Sequence, residues 1–597
     1  MATTVVMQQA IKQVLSISAF ILCSGLANAQ SDRTPTSVSQ GMVVTANPIA
    51  TQVGADIIRR GGSAVDAAVA IESVLSLVEP QSSGLGGGGY MVYFDNNTKS
   101  VTSYDGRETA PSRMPDDVFL TTTGKRMGYF DAKNSGLSIG VPGMVAMLAM
   151  AHNDHGNLQW KSLFKPAIGL AEDGFEISPR LHNFLTRFKK YIPSKPSQGP
   201  TDAYEYFYAP SGQPYAVGYK LSNFDYMETL YSVAKDPANF YRGEIAASIV
   251  SQAATPPRQG YLKKDDLTAY KPIRKTALCT SYKRNTLCGP PPSSSWIAVG
   301  MIMRMLENGP AFSERGAHDA ANWSMFADAQ RLAYADRDLY VADPEFSYTP
   351  IKGLLNSTYL YDRAKHISSK NTFPKVEAGD PTVYEKQQAN NYYGADGTVD
   401  MAGTSHFVVV DLQGNVVSMT ASVESIFGST RMAGGMFLNN QLTDFSFHSK
   451  DSQGTPIANR IEGGKRPRSS MSPTIVLDEN GEFLMATGSP GGNSIIAYTS
   501  KTMIGILEWG LSPKQAIELP NMVARGDVVK IEQSRATPEL IAGLRDAGYT
   551  VKESSGENSG ISVIYRSRAG LEGAADPRRE GTVAIINSTD VRKPITP

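Results

Sequence analysis

The chain has 597 residues with 57 basic (Lys and Arg) and 57 acidic (Asp and Glu) side chains, so its formal net charge is zero. A balanced charge argues against nucleic acid or an anionic membrane surface as the partner. Hydrophobic residues make up 41%, and the 54 Gly and 35 Pro indicate a loop-rich globular protein rather than a disordered one.

The first predicted element is an export signal at residues 1–29. Lys12 supplies a basic start, residues 14–22 (VLSISAFIL) are apolar, and residues 27–29 (ANA) form a small-x-small cleavage sequence. The alternative is a retained apolar helix, but the run is too short for stable membrane insertion. We therefore expect a mature chain from about Gln30 in a periplasmic or secreted location.

A glycine cluster at residues 84–89 follows two predicted helices and precedes a predicted strand at residues 90–94. A dinucleotide-binding loop requires the order strand, glycines, helix, because the phosphate binds at the helix N-terminus. The order here is different. We therefore predict that the glycines allow close backbone approach beneath a site.

A second predicted strand, residues 100–104, ends just before Asp105-Gly106-Arg107. An arginine directly after a strand is well placed to bind a carboxylate with two parallel hydrogen bonds. The alternative role for Arg107 is an ion pair with a neighbour such as Glu108.

Two further motifs in this part of the chain are weak. Ser138 lies in a Gly-x-Ser-x-Gly pattern, but a serine-hydrolase elbow needs a strong strand before it and none is predicted. His152 and His155 have the spacing of a helical metal-ligand pair, but no third ligand is suitably placed. We expect neither a Ser138 nucleophile nor a metal site.

Residues 141–360 are predicted to be mainly helical, with a loop at residues 193–217 and one hairpin that carries both cysteines of the mature chain. Pairing about the turn at Lys283-Arg284 places Cys279 opposite Cys288, close enough for a disulfide. An oxidising compartment would favour that bond, and the alternative is two small buried thiols. Because the sequence shows no internal repeat and no low-complexity linker, we do not expect a string of domains.

A polar tract at residues 374–403 leads into a β-hairpin whose strands are predicted at residues 404–411 and 416–420. Thr404 stands at the strand start after Gly403, where a cut would expose a threonine α-amine. That amine has a reference pKa of roughly 7.7–8, so it can act as the base that a weak hydroxyl nucleophile needs. The alternative is that Thr404 is an ordinary strand residue. His406 is a rival base for Ser405, but strand neighbours point to opposite faces.

The last third of the chain contains a polar loop at residues 446–464 and strands predicted at residues 474–477 and 482–487. Gly488-Ser489-Pro490-Gly491-Gly492 then opens a helix at about residue 493, and free backbone N–H groups at such a start can bind an oxyanion. β-structure is predicted again near residues 561–566 and 582–586.

Together these segments identify the chain as similar to the γ-glutamyltranspeptidases, also called glutathione hydrolases, of the bacterial periplasmic type. The resemblance rests on eight runs in one order: GGSAVDAAVA, EPQSSGLGGGG, DGRETAP, GTSHFVVVD, FLNNQLTDFS, KRPRSSMSPTIV, GSPGG and AADPRR. It implies an α+β fold with four αββα layers, the N-terminal-nucleophile hydrolase fold. It also implies self-cleavage at Gly403-Thr404 into a large subunit, residues 30–403, and a small subunit, residues 404–597, which stay associated as parts of one domain.

The resemblance further assigns roles to residues of this sequence. The nucleophile is Thr404, with Ser422 beside it and the backbone of Gly491 and Gly492 as oxyanion donors. The remaining residues bind the substrate. The residues implied to bind its α-carboxylate are Arg107, Ser469 and Ser470. Those implied to bind its α-amine are Glu424, Gln441 and Asp444. No metal or cofactor is required. The expected partners are glutathione and other γ-glutamyl compounds, with water, an amino acid or a peptide as acceptor.

The sequence also departs from the family pattern. Ser405 and Ser422 stand where threonine is common, Arg468 replaces a frequent leucine, Asn493-Ser494 replaces Ser-Arg, and the loop at residues 446–464 is shorter than a full lid. These departures affect the acceptor more than the chemistry. Two alternatives remain: a glutaryl-type cephalosporin acylase on the same fold, and an uncleaved, inactive binding protein.

Overall fold

The structure is a computed structural model that describes residues 40–385, 393–398, 403–554 and 559–590. The predicted signal peptide at residues 1–29 lies outside these ranges, as does part of the polar tract before Gly403. Among the helices of the described ranges, none combines the length and apolar character needed to cross a membrane.

Two large sheets form the centre of the molecule, and smaller sheets and hairpins lie around them. The strands are β1 Gln40–Thr45, β2 Gly88–Phe94, β3 Val101–Asp105, β4 Phe175–Glu176, β5 Lys220–Leu221, β6 Ile273–Thr276, β7 Leu278–Tyr282, β8 Asn285–Gly289, β9 Gly403–Val410, β10 Val416–Glu424, β11 Met432–Ala433, β12 Met436–Phe437, β13 Thr474–Leu477, β14 Phe483–Gly488, β15 Met522–Arg525, β16 Val528–Glu532, β17 Thr550–Ser554, β18 Ser562–Ser567, β19 Gly570–Ala575 and β20 Thr582–Asn587.

Helices cover the outer faces of both sheets. They are α1 Pro48–Arg59, α2 Ala64–Val78, α3 Tyr129–Lys133, α4 Met144–His155, α5 Trp160–Leu163, α6 Lys165–Asp173, α7 Pro179–Phe188, α8 Asp202–Phe207, α9 Phe224–Lys235, α10 Gly243–Ala254, α11 Lys264–Ala269, α12 Trp296–Asn308, α13 Ala320–Tyr340, α14 Ile351–Leu354, α15 Ser357–Ala364, α16 Ile495–Leu507, α17 Pro513–Glu518 and α18 Pro538–Asp546.

The strand order of the first sheet is β20-β1-β9-β10-β2-β3-β6, and that of the second is β19-β18-β14-β13-β8-β7. Alternating apolar side chains on β9 show how the layers form. Val408 and Val410 pack with Ile475 between the two sheets, whereas Phe407 and Val409 pack against helices on the other face. A further core lies between the second sheet and helices α12, α13 and α16. This is the four-layer αββα arrangement that the resemblance implied.

Most predicted elements exist, and their bounds differ by one or two residues. The second strand of the nucleophile hairpin is longer than predicted: β10 runs to Glu424, not to Thr420. The first strand of the predicted cysteine hairpin is β7, which pairs with β8 in the second sheet, and the adjacent β6 pairs with β3 in the first sheet. The predicted loop at residues 193–217 contains the short helix α8.

The β7–β8 hairpin carries the two cysteines at its edge of the second sheet. Cys279 lies directly opposite Cys288 in the pairing register, and a disulfide joins their sulfur atoms. Cys288 is buried between the sheets, so this hairpin is fixed both by its partner strand β13 and by the bridge.

The glycine cluster at residues 84–89 lies where two backbones come together. A Cβ atom placed on Gly86 would lie 2.1 Å from the carbonyl oxygen of Phe437, and one on Gly87 would lie 2.1 Å from that of Ser422. Real Cβ atoms do not approach this closely, so the glycines permit β2 to enter the sheet beside β10. The predicted close backbone approach is confirmed.

Candidate active site

Thr404 is the second residue of β9, and its side chain points into the space between the two sheets. It shares a strand face with Val408 and Val410, which pack there. Ser422 on β10 lies directly opposite in the register, with 3.1 Å between the two hydroxyl oxygens. Both side chains are almost completely buried. Two hydroxyl groups therefore meet at the peptide bond predicted to be cut.

The Ser422 hydroxyl connects three groups at that bond. It donates a hydrogen bond to the carbonyl oxygen of Gly403 (2.8 Å) and accepts one from the backbone N–H of Glu424 (2.8 Å). A hydroxyl has a single proton. Since Ser422 gives its proton to Gly403, Thr404 is the donor in the Thr404–Ser422 contact. The Thr404 hydroxyl proton thus points toward Ser422, and the Gly403 carbonyl is already polarised.

A β-bulge at the end of β10 turns Glu424 toward the same space. The pairing register shifts between Ser422 and Glu424, and Glu424 has a backbone φ of +77°. Such a conformation is strained for a residue with a side chain and is typical of functional sites. Asn440 and Tyr129 both donate to the Glu424 carboxylate, the tyrosine hydroxyl at 3.0 Å.

Arg107 lies just after β3 and is completely buried. Its Nη2 atom donates to Asp444 Oδ2 (2.5 Å) and to the carbonyl oxygen of Arg468 (2.8 Å), and its Nε donates to the carbonyl oxygen of Pro467 (3.2 Å). Nη1 has no hydrogen-bond partner among the described residues, and its nearest charge is Glu108 at 3.8 Å. One arm of the guanidinium is therefore available for another acceptor.

Glu108 is a buried carboxyl group beside Arg107, and neither of its oxygens has a hydrogen-bond partner among the described residues. Burial raises the pKa of Glu108 to about 8, although the positive charge of Arg107 acts to lower it. At neutral pH the group is mainly protonated. Arg107 therefore keeps Asp444 as its charged partner.

Ser469 and Ser470 follow the Pro467-Arg468 turn that binds Arg107. Ser470 Oγ accepts a hydrogen bond from Arg337 Nη2 (2.8 Å), and Arg337 is anchored by its Nε to Ser295 (3.0 Å). The serine pair is therefore held between two buried arginines. A carboxylate at this place would meet hydroxyl donors with positive charge behind them.

These groups surround a small cavity of about 20 Å³, and its lining brings together most of the residues that the sequence predicted. The lining residues are Thr404, Ser422, Glu424, Gln441, Asp444, Ser469, Ser470, Met471, Gly492 and Ile495. Arg107 and Gly491 do not line it. A volume of about 20 Å³ holds one water molecule and no substrate. The uncleaved chain must therefore rearrange before it can bind a ligand here.

The predicted oxyanion loop has the backbone conformation that only glycine adopts easily. Gly491 and Gly492 have φ values of +139° and +56°, and a 3₁₀ turn, Gly492–Ser494, leads into α16. This turn directs Gly492 to the cavity that contains Thr404. The predicted helix start at about residue 493 is shifted to Ile495 because the turn intervenes.

Sequence analysis missed the residue that fixes the nucleophile strand. Arg579 Nη1 donates to the carbonyl oxygen of Thr404 (2.7 Å), and Nε donates to the carbonyl oxygen of Ser559 (3.1 Å). Glu79 lies 3.9 Å away, and burial lowers the pKa of Arg579 to about 9. Arg579 and Glu79 belong to two of the matching runs, AADPRR and EPQSSGLGGGG, which would have been the signal for both.

The rejected candidates lie apart from this cavity. His406 Nδ1 is paired with Thr420 (2.9 Å), not with Ser405, and burial lowers its pKa to about 3. The Ser138 hydroxyl lies within hydrogen-bond distance of the backbone carbonyls of Lys133 (2.8 Å) and Ser135 (3.0 Å), and His155 stacks on Tyr93. Within the described ranges no group of His, Cys, Asp and Glu is arranged to hold a metal ion.

A family model and individual relatives both match this sequence, and they indicate the same family. The sequence model of the family described as gamma-glutamyltranspeptidase matches residues 50–586. A glutathione hydrolase proenzyme of Bacillus subtilis (strain 168) is 32% identical over 558 residues, which are 92% of each chain. The Acylase ACY 1 proenzyme of Pseudomonas sp. (strain SE83) is 30% identical over 574 residues, covering 94% of this chain and 96% of the relative.

Among solved structures, the cephalosporin acylase from Bacillus halodurans aligns with a TM-score of 0.78 at 24% identity. The alignment covers 94% of this chain and 99% of that one. At this identity the likeness establishes the fold. It agrees with the αββα layers described above.

Proposed function

We propose an activity from one premise: this chain belongs to the γ-glutamyltranspeptidase family. The proposed activity is that of a γ-glutamyltransferase and glutathione hydrolase with an N-terminal threonine nucleophile. The observation that carries it is the Thr404–Ser422–Gly403 hydrogen-bond arrangement at a cavity lined by Glu424 and Asp444, with the buried Arg107 paired to Asp444.

Maturation is the first step of the proposal. Thr404 Oγ1 attacks the carbonyl carbon of Gly403 and passes its proton through Ser422, whose hydroxyl also polarises the carbonyl. The C–N bond breaks, and the chain is held by an ester between Gly403 and the Thr404 side chain. Water opens the ester and leaves a Gly403 carboxylate, a free Thr404 hydroxyl and a free α-amine. The products are a large subunit, residues 30–403, and a small subunit, residues 404–597.

Catalysis then uses the new α-amine as the base. The amine accepts the Thr404 hydroxyl proton while Oγ1 attacks the γ-carbonyl carbon of the donor, and backbone N–H groups of Gly491 and Gly492 stabilise the oxyanion. The amide C–N bond breaks, and the departing amine takes the proton. Water or an acceptor amine next attacks the γ-glutamyl ester and restores the hydroxyl.

The charged groups suit the zwitterionic head of a glutamyl donor. Arg107 has an unpartnered Nη1 donor and lies next to the Ser469-Ser470 pair, which suits the α-carboxylate. Glu424, Gln441 and Asp444 also line the cavity, and their acceptor oxygens suit an α-ammonium. A glutaryl acyl group lacks that ammonium and would bring no positive charge to Glu424 and Asp444.

A glutaryl-type acylase is the second candidate, because a relative named Acylase ACY 1 proenzyme aligns along 94% of this chain. The carboxylates that line the cavity favour the glutamyl donor. We also propose export to a periplasmic or extracellular location, with the subunits remaining associated after cleavage.

The experiment compares the release of p-nitroaniline from γ-glutamyl and from glutaryl p-nitroanilide. We expect two fragments on a denaturing gel and a kcat/KM at least tenfold higher for the γ-glutamyl compound. Thr404→Ala is the control and should release neither product. Higher activity on the glutaryl compound would favour the acylase, and a single uncleaved band without activity would favour a binding protein.

A further inference from the structure

Residues 393–398, here called the tail segment, lie shortly before the predicted cleavage bond and are held by a buried ion pair. Arg468 Nη2 lies 2.7 Å from Asp396 Oδ2, and the two side chains are 1% and 0% exposed. Burial acts to raise the pKa of Asp396, but the charge of Arg468 and hydrogen bonds from Thr398 and Asn459 lower it overall. Asp396 is therefore an anion enclosed by the protein.

Asn459 completes the cradle around this anion. Its Nδ2 atom donates to Asp396 Oδ2 (3.2 Å) and to the carbonyl oxygen of Asp444 (2.8 Å), while its Oδ1 atom accepts the backbone N–H of Arg468 (2.9 Å). The Asn459 amide thus links the cradle to Asp444, which lines the Thr404 cavity. A guanidinium and an amide donor at one carboxylate form a complete carboxylate-binding set.

The cradle lies next to the proposed donor site. Arg468 directly precedes the Ser469-Ser470 pair, and its carbonyl oxygen accepts a hydrogen bond from Arg107. On its other side the tail segment borders a second cavity of about 560 Å³. That cavity is lined by Arg126, Ala395, Gly397, Thr398, Ser446, Phe447, His448, Lys450, Asp451, Ser452 and Ile457. Without the tail segment, the cradle would face a space that fits an amino acid or a dipeptide.

We propose that Arg468 and Asn459 form a subsite for the α-carboxylate of the leaving group and of the acceptor, and that Asp396 fills this subsite in the uncleaved chain. The proposal rests on the proposed function. Cleavage after Gly403 turns the tail segment into part of a free chain end, so Asp396 can be displaced. One subsite serves both molecules, because acceptor attack is the reverse of leaving-group departure at the same glutamyl ester.

The side chain at residue 468 decides which ligand this subsite binds. Arginine binds a carboxylate with two parallel hydrogen bonds and remains charged at all working pH values. The ligand class is therefore an amino acid or short peptide with a free C-terminal carboxylate.

The test is transfer from γ-glutamyl p-nitroanilide to glycylglycine and to glycylglycine amide, with mature enzyme. For the wild type we expect a KM about ten- to a hundredfold lower for the free acid than for the amide, as for hydrogen bonds to a charged group. Arg468→Leu should bring the two KM values together. The readout is the ratio of the two KM values, so a loss of activity that affects both acceptors equally does not change it.

Two further variants keep the result interpretable. Arg468→Lys retains the positive charge without the planar guanidinium, so its acid-to-amide KM ratio should be intermediate. This variant replaces Arg468→Leu in the test if the leucine variant does not mature. Asp396→Asn is the matched control and should not raise the KM for the free acid in mature enzyme. A rise would overturn the proposal, because Asp396 would then belong to the mature site.

The subsite is also wrong if the wild-type KM values for acid and amide are equal. That outcome differs from a failure of the proposed function, in which the wild type would release no p-nitroaniline even without an acceptor. The acid-to-amide ratio therefore tests residue 468 separately from the glutamyl chemistry.

Discussion

Two buried arginine–aspartate pairs meet at the chain just before Ser469-Ser470, and they differ in the origin of the aspartate. Arg107 is paired with Asp444 at 2.5 Å, and Arg468 is paired with Asp396 at 2.7 Å. Asp444 follows the predicted cleavage bond and is part of a 3₁₀ turn, Gln441–Asp444. Asp396 precedes that bond and belongs to the segment that we propose cleavage releases.

This difference separates a permanent contact from one that processing can end. Removing one partner of a buried ion pair costs roughly 3–5 kcal/mol, because the remaining charge stays in a medium of low dielectric constant. Arg107 avoids that cost both before and after cleavage, since Arg107 and Asp444 both stay in place. If Asp396 leaves after cleavage, the remaining carboxylate near Arg468 is Asp338 at 3.9 Å, so a close ion pair requires another anion. A protein can thus prepare a ligand site by filling it with part of its own chain.

The largest expected effect comes from Thr404→Ala, which keeps both pairs in their uncleaved arrangement. Without the hydroxyl there is no ester intermediate, so the protein should remain a single chain without detectable activity. A denaturing gel and p-nitroaniline release measure this. Ser405→Ala is the matched control: its hydroxyl lies on the next residue of the same strand, whose side chains face the other side, and the variant should be cleaved normally.

N-terminal sequencing of the small fragment from wild-type protein locates the bond. The sequence should begin with Thr-Ser-His-Phe, residues 404–407. Any other starting residue would contradict the assignment of Gly403-Thr404 as the cleaved bond.

Arg107→Ala removes the permanent pair and should have the next largest effect. The donor carboxylate and Asp444 would both lose a charged partner, at a cost of roughly 3–5 kcal/mol. This corresponds to a loss of about a hundred- to several thousandfold in kcat/KM for γ-glutamyl p-nitroanilide. Lysine at this position should recover only part of the lost kcat/KM, because its ammonium group cannot form the two parallel hydrogen bonds of a guanidinium.

Cleavage provides the internal control for Arg107→Ala. Self-cleavage needs no substrate carboxylate, so the variant should still give two fragments on a gel. Near-normal kcat/KM would show that the carboxylate is bound elsewhere and that the proposed glutamyl pocket is wrong.

Glu108→Gln tests the charge state of the carboxyl group beside the Arg107–Asp444 pair. The pKa of Glu108 is raised by burial from its ordinary 4.5 to about 8. Between these values the folded carboxyl keeps a proton that the unfolded chain has lost, so the free energy of unfolding falls as pH rises. The slope is about 1.4 kcal/mol per pH unit. Glutamine does not titrate and should lack this contribution.

Urea unfolding of wild type and Glu108→Gln at pH 5, 6, 7 and 8 measures the difference. The wild type should lose stability relative to the variant with each step, and the loss should end above about pH 8. Parallel curves over this range would show that Glu108 is ionised in the folded protein and competes with Asp444 for Arg107.

The smallest effect is expected for the disulfide, which contacts neither pair. Replacing Cys279 and Cys288 by serine should lower the free energy of unfolding by about 2–3 kcal/mol, because the bridge closes a short loop. Activity should not change. Thiol titration of the denatured, unreduced mature protein should find no free thiol, and finding two would rule out the bridge in exported protein.

The sequence was most informative where the pattern is local. The β9–β10 hairpin was predicted because a Gly-Asn turn separates two apolar runs, and the glycines at residues 84–89 were interpreted correctly because the strand follows them. The cysteine register also followed from a single turn. Each of these inferences depends on neighbours within about ten residues.

The remaining features depend on contacts between distant parts of the chain. Arg579 reaches the carbonyl of Thr404 across 175 positions, and Asp396 meets Arg468 across 72. No periodicity or turn rule predicts such pairs, because only the folded sheets bring them together. The bulge at Glu424 was missed for a related reason, since its register shift is visible only against the partner strand.

The strand order β20-β1-β9 determines where new chain termini could be placed. Gln40 pairs with Asn587, and Met42 pairs with Val410, so the first and last described strands lie together beside the strand of Thr404. A short linker between these strands would produce a circular permutant. Such a chain would begin at Thr404 and end near Gly403. Thr404 would gain its free α-amine by removal of the initiator methionine, without an internal Gly403-Thr404 bond to cut.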